Sequence, residues 1–131
     1  MSKAVLKTIK DSMKEIGINY QFKKWKGHPV YPYFVGSYQE VPTPGEDGMQ
    51  ETSFILTGFA RSDGSVDAVL QLEDAKEKIE TYFDTGKVVN ADGSAVAIFY
   101  ANTFGDLPTG DAELEKIEIN LTIKEWRVKK V

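Results

Sequence analysis

The chain has 131 residues, 41% of them apolar and 27% charged, with no cysteine and a single histidine. That length suits one domain burying roughly two thirds of its unfolded surface, and the lack of cysteine excludes disulfides, thiolate metal sites and thiol nucleophiles. A net charge of −4 argues against a protein whose main task is gripping phosphates.

The charge is unevenly placed. Residues 1–26 carry seven lysines against two acids (+5), residues 27–115 four basic against sixteen acidic groups (−12), and residues 116–131 five basic against two acidic groups (+3). These are either three solvated faces of one domain or oppositely charged surfaces able to meet head to tail in an assembly. Lysines interrupt every apolar pair of the first segment, so no signal peptide is expected there. No apolar run approaches the roughly 18 residues of a membrane helix. A soluble, unexported protein is the expectation, which makes the Asn120-Leu121-Thr122 sequon accidental.

In chain order, Val5, Leu6, Ile9, Met13 and Ile16 predict a helix over 3–16, with Lys3, Lys7, Lys10 and Lys14 mostly on the other face. Ser2 can cap its start and Gly17 its end. Tyr20–Trp25 alternates and then slips, predicting a first strand with an edge or bulge near Lys23 and Lys24. A turn at Lys26–Pro29 leads to a second strand over Val30–Tyr38, its start demoted to an edge by Pro32. Next come the loop Glu40–Glu51 (EVPTPGEDGMQE) and a third strand over Thr52–Ala60.

Ser65 or Asp67 can cap a second helix at about 67–83, which ends before Gly86. A turn at Asn90–Gly93 precedes a fourth strand over Ser94–Ala101. The fifth strand, Lys116–Val128, alternates cleanly at Ile117, Ile119, Leu121 and Ile123, but Trp126 and Val128 fall on the other parity. That predicts a register change at Lys124–Glu125. The order α-β-β-β-α-β-β implies an α+β fold in one domain over 1–131, a mainly antiparallel sheet of about five strands with two helices packed on one face.

Little of this carries catalytic chemistry. His28 sits beside Pro29 in a turn and has no nucleophile or second base nominated for it, so it reads as a surface residue. No phosphate-cradling glycine motif is present, and no cofactor or metal is expected. The segment YQFKKWKGHPVYPYF offers aromatics to stack on bases and Lys23, Lys24 and Lys26 for phosphates, but the acidic remainder of the chain favours a strand pair with aromatics inward and lysines in solvent. The acids of the 40–51 loop lack the alternating ligand spacing of a calcium loop. Pro42 and Pro44 stiffen its ascending limb, and Glu46, Asp47 and Met49 make its tip a contact for a partner, the alternative being a simple mobile hairpin tip. Trp126 and Arg127 form a candidate interface hot spot; the alternative is a core tryptophan following a bulge.

Taken together, YPYFVGSYQEVPTPGEDG, ETSFILTGFARS, LEDAKEKIETYF, AIFYANTF and EKIEINLTIKEWRV resemble the tail terminator (tail completion, tail-to-head joining) proteins of long-tailed bacteriophages and prophages. The resemblance runs from about Tyr31 to Val128. It implies a structural, non-enzymatic virion protein that forms a homo-oligomeric ring, commonly a hexamer, on the finished tail tube. Such a ring stops polymerisation, docks the head connector and lets DNA pass without specific binding. The implied partners are further copies of the chain, the tail tube protein and the head-completion or connector protein, at the head–tail joint of the virion and in host cytoplasm during assembly. The resemblance also implies that the 40–51 loop orders on assembly. The candidate interface residues are then Lys23, Lys24, Glu46, Asp47, Met49, Trp126 and Arg127. The alternatives are a head-completion or connector protein, or a small ligand- or nucleic-acid-binding domain.

Overall fold

The computed structural model describes residues 3–39, 49–62, 67–84, 86–91, 94–105 and 107–126. Helix α1 spans Lys3–Glu15 and buries Val5, Ile9 and Met13, the inner side of the predicted stripe. It stops as the sequence predicts. Gly17 takes φ 75°, its N–H donates to the Lys14 carbonyl, and the Ile18 N–H donates to the Met13 carbonyl at 2.8 Å. This double closure uses the left-handed conformation that glycine adopts without a Cβ penalty.

Strand β1 (Asn19–Phe22) pairs in parallel with β2 (Tyr33–Gln39), and β2 pairs antiparallel with β3 (Met49–Arg61). The parallel pair needs a return path, and residues 23–32 supply it. Lys23, at φ 71°, turns the chain out of β1 while its N–H still reaches the Gly36 carbonyl at 2.7 Å. The Gln21 amide clasps both backbone groups of Lys26, and Asn19 donates to the Pro32 carbonyl at 3.2 Å. β2 starts at Tyr33 rather than Val30, downstream of Pro32, which has no N–H for a ladder.

Helix α2 (Ala68–Phe83) begins at Asp67, whose carboxylate accepts from Val69 N at 2.9 Å and Leu70 N at 3.4 Å. Ala68, Leu72, Ala75, Ile79 and Phe83 form its buried side. Strands β4 (Lys87–Ala91), β5 (Ser94–Phe104) and β6 (Leu114–Trp126) complete a six-stranded sheet in the order β1-β2-β3-β6-β5-β4. The α+β class and the mainly antiparallel sheet are as the sequence predicts. The sheet has one strand more than expected, β4, an edge strand of five residues too short to show a period of its own.

Both helices lie on one face, and one core joins them to the sheet. Val5, Ile9 and Met13 of α1 share a buried cluster with α2, with Phe34, Phe54 and Leu56, and with Ile117, Ile119, Leu121 and Ile123. A Cβ on Gly58 would strike the Phe34 ring, so the absence of a side chain there is what lets Phe34 lie across β3.

The expected register change at Lys124–Glu125 does not occur. Alternation runs unbroken to the end of β6, so Glu125 points into the helix-covered side at 2% exposure and Trp126 points away from it. The physical reason is position. β6 is bonded to β3 and β5 on its two sides, with Glu125 opposite Gln50 and Val96, and a bulge there would break two ladders. The irregularity sits instead in β5 between Tyr100 and Asn102, beyond Ile98, where pairing with β4 ends.

Candidate functional site

Strand alternation puts half of the sheet's side chains on the face opposite the helices, and among the described residues no helix covers that face. Two groups of side chains stand out there. The first gathers at the β2–β3 corner. Tyr33 and Phe59, partners in the ladder, stack with ring centroids 5.1 Å apart, and Trp25 (4.8 Å) and Tyr31 (5.5 Å) pack on Tyr33. The Trp25 indole N–H donates to the His28 carbonyl at 3.1 Å, which fixes the return loop on this corner.

Cations cap the aromatic cluster. Arg61 lies 5.8 Å from the Tyr31 ring and Lys116 5.8 Å from the Phe59 ring. Arg61 Nη1 also donates to Asp111 Oδ2 at 3.1 Å, with Glu113 at 3.9 Å. The Glu113 backbone N–H first, and Arg61 second, hold the Asp111 carboxyl below its ordinary value. Arg61 is held above its own, first by the Tyr31 hydroxyl and then by Asp111. Partial burial, then Tyr31, pushes the Tyr33 phenol up.

The second group lies along β5 and β6. Lys124 stands 5.9 Å over the Phe99 ring, Asn120 donates to Asn102 at 2.8 Å, and Trp126 is 36% exposed at the end of β6. The uncovered face therefore interleaves aromatic rings with both signs of charge and with amides. Aromatic rings interleaved with arginine and amides are the composition that protein–protein interfaces favour.

The residues singled out in the sequence divide between two places. Met49 opens β3 and stands opposite Trp126 in the β3–β6 ladder, so those two are brought together. Trp126 is a half-exposed surface residue, not the core residue of the alternative reading. Lys23 and Lys24 sit apart, at the exposed end of β1. Lys23 reaches over the Phe22 ring at 5.9 Å, while Lys24 shares a cleft with Lys7 and Lys10 of α1. Glu46, Asp47 and Arg127 lie outside the described residues. His28 is exposed in its turn. Among the described residues no group of three or more His, Asp or Glu side chains could hold a metal ion, and no helix is long and apolar enough to cross a membrane.

Trp25, Tyr31 and Tyr33 of this corner lie in the segment singled out for its aromatics, whereas the part played by Phe59 of β3 was missed. Its signal was available in TSFILTGFA, whose near-continuous apolar run has Ile55 and Phe59 on the opposite parity from Phe54 and Leu56. A strand apolar on both faces implies something on both sides.

No family model matches the sequence, and no curated protein matches it either. Similarity exists at the level of the fold. A solved structure of a protein that carries a serial designation in place of a descriptive name superposes with a TM-score of 0.66 at 14% identity, over 99% of each chain. At that identity the likeness carries the α+β architecture alone.

Proposed function

We propose that this chain is a structural, non-enzymatic subunit that assembles into a ring on the end of a phage tail tube. There it ends tail polymerisation and presents a docking surface to the head connector. The motif resemblance and the order of elements support this reading. The observation that carries it is the one-sided sandwich, with both helices on one face of the sheet and, among the described residues, no helix over the other. The second face bears Tyr33, Phe59, Phe99 and Trp126 among Arg61, Lys116, Lys124 and Asn120. A structural subunit uses such a face for neighbours, and a ring needs two unlike patches that close after a fixed rotation. DNA is expected to pass through the ring without specific contacts.

The test is native mass spectrometry of the full chain together with labelling on purified tails. A closed ring in solution and label at the head-proximal end of the tube are expected. A protein monomeric at every concentration and absent from tails would overturn the reading.

A further inference from the structure

Two charged features lie on the helical side of the molecule. The first is a cleft of about 470 Å³ between α1 and the free edge of β1. Lys7, Lys10, Lys24 and Lys26 line it, with Leu6, Tyr20 and Phe22 as its apolar component. All four lysines are exposed, and among the described residues none is in an ion pair. Lys7 and Lys10 belong to a row, Lys3, Lys7, Lys10 and Lys14, spaced four, three and four residues apart.

The second feature is the outward face of α2. Glu73, Glu77, Glu80 and Asp84 repeat the same four-three-four spacing, on the side of the helix opposite Leu72, Ala75 and Ile79. Leu70, 62% exposed, heads the same row one turn earlier. Among the described residues the ion pairs of this row are those of Lys76, at 3.8 Å from Glu73 and 4.0 Å from Glu80, distances of weak surface pairs. Each row spans about 16 Å at 1.5 Å per residue. Because four-three-four reads the same in both directions, the rows can match in parallel or antiparallel register.

We infer that the α1–β1 cleft of one copy receives the acidic face of α2 from a second copy, with Leu70 entering beside Phe22 and Tyr20. The inference rests on the ring reading above and adds, to the uncovered sheet face, a subunit contact on the helical side. The contact is heterologous, since cleft and acidic row are different patches of one chain, and this is the kind of contact that closes rings. Charge complementarity selects a protein occupant of the cleft over a nucleic acid, because the same molecule supplies the matching anion at the matching spacing. Each exposed pair contributes little by itself, so the row acts as a set that steers and registers the contact and weakens with salt.

The test uses the full chain in sedimentation velocity and native mass spectrometry, with K7E/K10E, E73K/E77K and an equimolar mixture of the two. Either variant alone is expected to weaken self-association by about tenfold or more, as two attractive contacts become repulsive. The mixture restores it, because each variant's α2 faces the other's cleft with opposite charge. Urea midpoints near that of the parent chain establish that the variants fold. If the parent chain forms its ring and both variants do so equally well, this interface is wrong and the ring reading stands. If the parent chain is monomeric at every concentration, both fail. If K7E/K10E leaves association unchanged but abolishes binding to a fluorescent oligonucleotide, the cleft serves nucleic acid and the inference is overturned.

Discussion

Met49 and Trp126 stand opposite one another at the end of the β3–β6 ladder, where β6 is also paired with β5 through Ala95. The chain therefore enters β3 beside the tryptophan, and two residues singled out separately in the sequence mark one corner of the sheet. Trp126 carries its indole away from the core at that corner. Trp126→Ala should lower the unfolding free energy by only about 1 kcal/mol. It should weaken ring formation by about 2 kcal/mol, roughly thirtyfold. Chemical denaturation and native mass spectrometry on the same samples separate the two effects, and a large fold defect without an assembly defect would contradict the exposed placement.

Gly58 is a packing requirement. Gly58→Ala drives a Cβ into the Phe34 ring, which is fully buried in the core cluster. A loss of about 1–3 kcal/mol is expected, as for other overpacked cores. The matched change Phe34→Leu in the Gly58→Ala background should recover part of it, measured by urea unfolding.

Asp67 holds the first turn of α2 through two backbone N–H groups. Asp67→Ala should cost about 1 kcal/mol, and Asp67→Ser substantially less, because serine also presents a capping oxygen. Thermal unfolding followed by circular dichroism reads the difference. Equal losses for both variants would mean that the cap contributes through charge alone.

Tyr20 gives the fold a dependence on alkaline pH. Burial against the helix layer pushes its phenol above the ordinary tyrosine value. The folded state thus holds this proton more tightly than the unfolded chain does. Its contribution is fully present below the unfolded value of about 10 and is lost as the pH rises from there toward the folded value. Tyr20→Phe should therefore match the parent chain near pH 7 and flatten the decline in urea midpoint above about pH 10. An unaltered decline in the variant would assign it to other phenols, with Tyr33 the next to examine.

Much of this architecture is legible in local sequence because local forces decide it. Gly17 ends α1 since its left-handed φ closes the last carbonyls, and Asp67 starts α2 since a carboxylate satisfies N–H groups within its own turn. The alternation of Ile117, Ile119, Leu121 and Ile123 marks one buried face by the period of the strand itself. The phase slip at Trp126 misled for a physical reason. Hydrophobicity suggested that the tryptophan must turn inward, whereas pairing on both sides of β6 kept the register and turned Glu125 inward instead. The parallel pairing of β1 with β2 was equally hidden, because the contacts that set it, Gln21 with Lys26 and Asn19 with Pro32, join residues with no shared periodicity.

The candidate surfaces divide in the same way. The lysine row of α1 and the acidic row of α2 are spacings within single helices, so the sequence by itself determined them, along with the two helices, the long strands and the α+β class. Tertiary structure alone decided that Lys24 and Lys26 would join Lys7 and Lys10 around one cleft. It likewise decided that Tyr33 would stack on Phe59 under Trp25, and that Met49 would face Trp126. Each of those meetings depends on which strand edge pairs with which, a choice made by burial summed over the whole sheet and visible in no single segment.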